Sequence, residues 1–102
     1  MIKKVILIAL IAPLALGILA EVGKGKIYGI VKDQETQKPI EKATIYIKEL
    51  SQSLKTNAYG NFNADLDPGG YTLVVVHKNF DTTISWLNVE AEKMELIEVF
   101  MP

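Results

Sequence analysis

Apolar and polar residues alternate along much of the chain after position 21. Over residues 26–33, one set of alternate positions holds Ile27, Gly29 and Val31, and the other holds Tyr28, Ile30 and Lys32. The same period of two recurs over residues 42–50 and 61–66. Because successive side chains of a strand point to opposite faces, these three segments are predicted to be half-buried β-strands.

Residues 71–78 differ, since they are apolar at both sets of positions through Leu73, Val74, Val75 and Val76. A strand covered on both faces has this pattern, so the segment is predicted to lie at the centre of a sheet. Residues 81–90 and 93–101 predict two more strands, joined by a tight turn at residues 91–92. Residues 49–55 fit a short strand, a loop or one helical turn.

Turn-forming residues separate these segments at short intervals. The strongest turn signal is the sequence DPGG at residues 67–70, because proline fixes φ and glycine admits positive φ. Short strands at regular spacing, with turns between them, are typical of a sandwich of two packed sheets. The predicted fold class is therefore all-β, with about seven strands.

The first twenty residues have a different pattern. Lys3 and Lys4 precede a nearly uninterrupted apolar run over residues 5–19, and charge returns at Glu21 directly after Ala20. A basic segment, an apolar segment and a small residue at the cut are the three parts of a secretory signal. The apolar run is also shorter than the ~20 residues that cross a bilayer comfortably.

This pattern predicts a signal peptide over residues 1–20 and an exported domain over residues 21–102. The destination is the periplasm, the cell envelope or the extracellular space, because the positive-inside rule keeps the two lysines cytoplasmic. A cut after Gly17 is the second choice. The alternative to cleavage is a retained anchor that tethers the domain to the membrane.

Composition removes several classes of function. The 102 residues carry 11 Lys+Arg and 12 Asp+Glu, for a net charge of −1. Nucleic-acid-binding domains usually show a basic patch and a high pI, so nucleic acid is not expected as a partner. The chain has no cysteine, which excludes disulfides, thiolate metal sites and a cysteine nucleophile.

Candidate catalytic and metal-binding residues are few. His77 is the only histidine, and zinc needs about three protein ligands, so a structural role at the rim of a strand is the favoured interpretation. No residue that could act as a general base stands out beside a serine or threonine hydroxyl that could act as a nucleophile. The acids Asp33, Glu35, Asp65 and Asp67 do not have the spacing of a calcium-binding loop. We predict no catalytic, cofactor-binding or metal-binding residue, and no enzyme activity.

Four stretches in order resemble one family. They are GIVKD at residues 29–33, KPIEKATI at 38–45, TNAYGNF at 56–62 and PGGYTL at 68–73. Together they are similar to the carboxypeptidase regulatory-like domain family, whose fold is a transthyretin-like (prealbumin-like) Greek-key β-sandwich. The resemblance implies this architecture and a non-catalytic role, and it names no ligand.

The sequence departs from the family pattern at two places. Asn79-Phe80 stands where the family usually has Gly-Tyr or Gly-Phe, and Asn57 stands where it usually has Asp. Asparagine tolerates the left-handed conformation better than most residues, so neither change is expected to alter the fold.

Several apolar residues are predicted on faces opposite the core, and exposed apolar patches often mark contacts. The candidate partner-binding residues are Tyr28, Tyr46, Trp86 and Val99. The final strand, over residues 95–101 and ending at Pro102, is predicted to be a sheet edge to which a partner's strand can add. The predicted function is a non-enzymatic module that binds a protein partner or supports an assembly. The alternative is a carbohydrate-binding module that uses Tyr28, Tyr46, Tyr59 and Trp86.

Export gives the first testable prediction. N-terminal sequencing of the exported form should begin at Glu21, because Ala20 and the return of charge coincide there. A chain recovered from the membrane fraction with Met1 intact would instead establish the retained anchor.

Overall fold

The computed structural model describes residues 23–102, which form two β-sheets around one apolar core. The strands are β1 (Gly25–Asp33), β2 (Thr44–Ile47), β3 (Gln52–Lys55), β4 (Asn61–Leu66), β5 (Gly69–His77), β6 (Phe80–Val89) and β7 (Met94–Met101). A 3₁₀ turn, Lys48–Leu50, follows β2. The predicted signal peptide, residues 1–20, lies outside the described residues.

The two sheets differ in size and direction. The three-stranded sheet has the order β4-β1-β7, in which β1 runs antiparallel to β4 and parallel to β7. The four-stranded sheet has the order β3-β2-β5-β6 and is antiparallel throughout. The chain passes between the two sheets four times, and the last crossing is the turn between β6 and β7, where Glu92 has a φ of 59°. This arrangement confirms the predicted β-sandwich.

The core is formed by the inward-facing positions of both sheets. In β1 the residues Ile27, Gly29 and Val31 are buried, as the alternation predicts. In β5 the inward residues Tyr71, Leu73 and Val75 are buried, and β5 lies between β2 and β6. The prediction that this strand is central is therefore confirmed. The Tyr71 hydroxyl donates a hydrogen bond of 2.7 Å to the carbonyl oxygen of Asp67, so its polar group is satisfied at the rim.

Phe62 packs across Gly29, its cross-strand partner. A β-carbon built at Gly29 would fall on the Phe62 ring. Glycine is therefore required at position 29 by close approach. The Phe62 ring in turn covers the backbone that glycine, which has no side chain, leaves exposed, and it fills the space between the sheets.

Thr56 is the buried polar residue in the described part of the chain. Its hydroxyl donates to the Ile40 carbonyl oxygen at 2.7 Å and accepts from the Ala43 N–H at 2.9 Å. These two bonds hold the loop before β2 against the end of β3. A buried hydroxyl without them would cost about 1–3 kcal/mol.

The segment predicted as one strand over residues 42–50 is shorter in the structure. Strand β2 ends at Ile47, which pairs with Gln52 of β3, so residues 48–51 must close a hairpin. They do so as the 3₁₀ turn followed by Ser51 in the left-handed region, with a φ of 52°. Two of the three alternatives for residues 49–55, the helical turn and the strand, thus occur side by side.

The prediction that Val99 contributes to a binding surface is wrong. Val99 lies opposite Val31 in the parallel pairing of β7 with β1, and both side chains point into the core. Only 3% of Val99 is exposed. An edge strand still has one inward face, and in residues 94–101 both sets of alternate positions hold apolar residues, so the alternation there does not distinguish the inward set.

Core packing gives the second prediction. Phe62→Ala should lower the free energy of unfolding by ~3–5 kcal/mol, because it removes a buried ring and leaves Gly29 uncovered. Thermal and denaturant unfolding followed by circular dichroism would measure this. Tyr59→Ala, at an exposed loop position, is the matched control and should change stability little. A Phe62→Ala domain that melts cooperatively within a few degrees of wild type would contradict the assignment.

Candidate binding surfaces

The four predicted surface residues do not lie together. Tyr28 is on the outer face of the three-stranded sheet, whereas Tyr46 and Trp86 are on the outer face of the four-stranded sheet. Val99 is in the core. Tyr59, the fourth ring considered for carbohydrate, is in the loop before β4. The sandwich therefore presents two separate candidate surfaces.

The first surface, here the three-strand face, is an apolar area on β1 and β7. Its outward residues are Tyr28 and Ile30 of β1 and Met94, Leu96 and Phe100 of β7. Leu96 is 73% exposed, and it lies opposite Tyr28 in the register. A shallow groove of about 460 Å³ runs between the two strands. The sequence pattern predicted Tyr28 as a surface residue, but it did not indicate Met94 or Leu96.

Charges on the three-strand face are paired with one another. Lys26 and Asp65 form an ion pair of 2.8 Å, and Lys32 and Glu98 form one of 2.9 Å. The hydrogen bond and charge of Asp65 raise the pKa of Lys26, whose ammonium also lies 5.9 Å from the centre of the Tyr28 ring. The apolar area thus lies between two cross-strand ion pairs.

Strand β7 is an edge strand, as predicted, because β1 is its one sheet neighbour in the described part of the chain. Glu95 belongs to the inward set of positions but is exposed at the rim. An inward-pointing charge is one device by which edge strands avoid uncontrolled pairing. Glu92 and Glu95 make no ion pair with any residue from 23 to 102, whereas Lys93 pairs with Glu90 at 3.0 Å. The start of this edge is therefore acidic.

The second surface, here the four-strand face, carries two rows of side chains across the sheet. One row holds Tyr46, Val74 and Ile84, which are cross-strand neighbours in β2, β5 and β6. The other row contains Thr72 opposite Trp86. Trp86 is 76% exposed, so its indole is available for contact.

Glu49 completes the second row, although the sequence did not single it out. Its carboxylate accepts two hydrogen bonds from Thr72, one from the backbone N–H at 2.7 Å and one from the hydroxyl at 2.8 Å. These bonds, with a smaller effect of the Lys48 charge, hold the pKa of Glu49 below its ordinary value. Glu49 lies in the 3₁₀ turn, and nothing in the local pattern links this turn to a strand more than twenty residues away.

A shallow depression of about 420 Å³ lies at this corner of the sheet. Its lining includes Glu49, Gly70, Thr72, Trp86 and Asn88. The N–H of Thr72 points to Glu49 on the β2 side, so Thr72 and Trp86 form a non-hydrogen-bonded pair, in which side chains approach closely. The corner thus combines an aromatic ring with a carboxylate, a hydroxyl and an amide.

His77 has a local, structural environment. Its ring meets Phe80 edge-on at 5.4 Å, and its Nδ1 accepts a hydrogen bond of 3.1 Å from the N–H of Asn79. Over residues 23–102, no three His, Asp or Glu side chains are grouped as metal ligands would be. The same stretch contains no helix with the length and apolar character needed to span a membrane.

The sequence of residues 26–101 matches the family model of the carboxypeptidase regulatory-like domain. The chain belongs to this family. The match confirms the resemblance carried by the four sequence stretches, and it extends beyond them to β7. No curated protein sequence matches the chain.

Solved structures share the fold of this regulatory-like domain at low identity. The TIE protein of Bacillus anthracis aligns with a TM-score of 0.67 and 14% identity over 78% of this chain and 16% of its own. A proposed carbohydrate-binding protein of Bacteroides uniformis aligns with a TM-score of 0.61 and 11% identity, over 78% of this chain and 41% of its own. A chain from a type II cohesin–X–dockerin complex of Acetivibrio cellulolyticus aligns with a TM-score of 0.59 and 21% identity, over 76% of this chain and 56% of its own.

The domain therefore spans between 16% and 56% of the length of these three solved chains. At these identities the likeness establishes the β-sandwich architecture.

The Glu49–Thr72 contact gives the third prediction. Thr72→Val removes the hydroxyl donor but keeps the backbone N–H donor, so the pKa of Glu49 should rise part of the way toward 4.5. NMR titration of the Glu49 carboxyl carbon would measure it, with Thr82→Val, a threonine of the same sheet, as the control. Since the folded-state pKa is lowered, the contact stabilises the domain above the ordinary pKa, and this contribution is lost as pH falls through the folded-state value. An unchanged Glu49 pKa in Thr72→Val would contradict the account.

Proposed function

We propose that this chain is an exported, non-enzymatic module that binds a protein partner through β7 and the three-strand face. The observation that carries the proposal is an edge strand bordered by exposed apolar side chains. The free edge of β7 offers backbone N–H and C=O groups, and a partner's strand can add to them by β-augmentation. Leu96 and Met94 would then contact alternate side chains of the added strand.

The charges near β7 favour a basic partner strand. Glu92 and Glu95 form no ion pair within residues 23–102, while the nearby Lys32, Lys93 and Glu98 are all paired. Lysine or arginine on the added strand would complement these two acids. Like charges would oppose pairing between two copies of β7, because each copy brings the same acidic edge.

A non-enzymatic role is supported by the environment of His77 and by the family. Catalysis by this histidine would need a nucleophile or a second titratable partner aimed at it, and its Nδ1 is instead engaged by the backbone of Asn79. Export is supported by the basic, apolar and small-residue pattern of residues 1–20. On this proposal the domain acts outside the cytoplasm.

The fourth prediction is that Leu96→Lys weakens partner binding by about tenfold or more, since it puts a charge in the centre of the apolar contact. A photo-crosslinking residue at position 96 of the full chain should identify the partner in envelope extract. Binding of that partner to wild type and variants would then be measured by calorimetry. Ile84→Lys is the matched control, because Ile84 is an exposed apolar residue, 52% accessible, on the opposite sheet.

Hydrogen exchange would test the mode of binding. The backbone amides of β7 that point away from β1 should become protected from exchange on partner binding, because they become hydrogen-bonded to the added strand. Equal loss of binding in Leu96→Lys and Ile84→Lys, or no added protection in β7, would contradict the proposal. His77→Ala should bind normally, and loss of binding there would move the site to a residue described here as structural.

A further inference from the structure

The corner of the four-strand face around Trp86 has features that the proposed strand addition does not use. The indole lies on the opposite sheet from β7 and is largely exposed. Gly70 lies opposite Asn88, and a β-carbon built at Gly70 would meet nothing within 4 Å. A ligand lying on the ring therefore has open space beside the Asn88 amide.

The polar groups around the indole supply both donors and acceptors. Asn88 offers two amide hydrogens and a carbonyl oxygen. Each carboxylate oxygen of Glu49 accepts one bond from Thr72 and keeps a further acceptor site, and the same bonds fix the position of the carboxylate. The Thr72 hydroxyl donates its hydrogen to Glu49, so toward a ligand it acts as an acceptor. A ligand that fits carries several hydroxyl groups and one apolar face.

We infer that this corner binds a neutral pyranose unit of a carbohydrate chain. The apolar C–H face of the sugar stacks on the Trp86 indole, and its hydroxyls exchange hydrogen bonds with Glu49 and Asn88. The inference concerns the four-strand face and does not depend on the proposed function of β7, so either can fail without the other.

A cationic ligand fits this corner less well than a neutral one. Trp86 and Glu49 together could attract an ammonium group. Lys48, however, directly precedes Glu49 in the 3₁₀ turn, so a positive charge of the chain itself lies beside the carboxylate and partly offsets its attraction for a cation. Glu49 is the one charged residue in the lining of the depression, so a cation would find a single carboxylate there.

Tyr46 extends the site toward a second sugar unit. Tyr46 and Trp86 share the outer face but lie two strands and two residues apart, which is about 12 Å in ideal sheet geometry. Val74 and Ile84 fill the interval in the row that contains Tyr46. A chain of sugars lying diagonally across the sheet would reach both rings, so an oligosaccharide should bind more tightly than a monosaccharide.

The experiment uses the full chain in a detergent without a sugar headgroup. Trp86 is the only tryptophan, so its fluorescence reports this site alone. The probes are cellohexaose, chitohexaose and xylohexaose, each compared with its monosaccharide. At least one hexasaccharide should shift the emission and the Asn88 side-chain amide resonances.

Variants separate the contributions of the ring, the amide and the carboxylate. Trp86→Ala should weaken hexasaccharide binding at least about tenfold, measured by NMR or calorimetry, while Trp86→Phe retains part of it. Asn88→Ala and Glu49→Gln should each weaken it several-fold. Tyr46→Ala should weaken hexasaccharide but not monosaccharide binding. Leu96→Lys, on the other sheet, should leave sugar binding unchanged, and circular dichroism would verify folding.

Three results would overturn the inference. One is that no probe at millimolar concentration shifts Trp86 emission or the Asn88 amide. Another is that a hexasaccharide binds equally well to Trp86→Ala. The third is that choline or a lysine peptide perturbs Trp86 while all the sugars fail, which would make the corner a cation or protein site.

Discussion

The packing of Phe62 against Gly29 is the contact on which the rest of the sandwich depends. The two residues are cross-strand partners on β1 and β4, and the missing side chain at Gly29 makes room for the ring between the layers. The chain has no cysteine to link the sheets. Their association therefore rests on apolar burial, with Thr56 holding the loop beside β2 through two buried hydrogen bonds. In so small a domain, loss of one large core side chain is comparable to the whole free energy of unfolding.

This mode of packing also determines which residues remain outside. Each strand contributes one set of alternate positions to the core, and the other set faces solvent on the far side of its sheet. Several of those outward positions are apolar, and no third layer covers them within residues 23–102. The two candidate surfaces are thus a direct consequence of apolar residues at outward positions of a two-layer fold.

The two surfaces differ in chemistry because their charges are arranged differently. On the three-strand face, lysines and acids pair across neighbouring strands, and toward the β7 edge Glu92 and Glu95 make no ion pair within residues 23–102. This suits an apolar contact flanked by an acidic strand edge. On the four-strand face, the one acid near Trp86 is held by Thr72 in a fixed orientation. A carboxylate fixed beside an exposed ring suits a small polar ligand better than a broad protein contact.

The sequence by itself determined most of the strands and turns, most of the core and the family. These depend on local information: the period of two, proline and glycine at turns, and four short stretches in order. Burial of Phe62 and Tyr71 and the edge position of the last strand were also predictable, because they follow from apolar alternation and chain order. The sequence could not say that Val99 faces inward, since both sets of alternate positions in residues 94–101 hold apolar residues.

Tertiary structure alone decided which outward residues meet. Tyr28 and Trp86 both occupy outward positions of alternating strands, yet they lie on opposite sheets. Leu96, by contrast, lies beside Tyr28 because β1 and β7 pair in parallel although they are far apart in sequence. Glu49 reaches Thr72 because a hairpin closes at the 3₁₀ turn and directs the carboxylate to the next strand. Such contacts join residues distant in sequence, and they depend on strand order and register, which local periodicity does not encode.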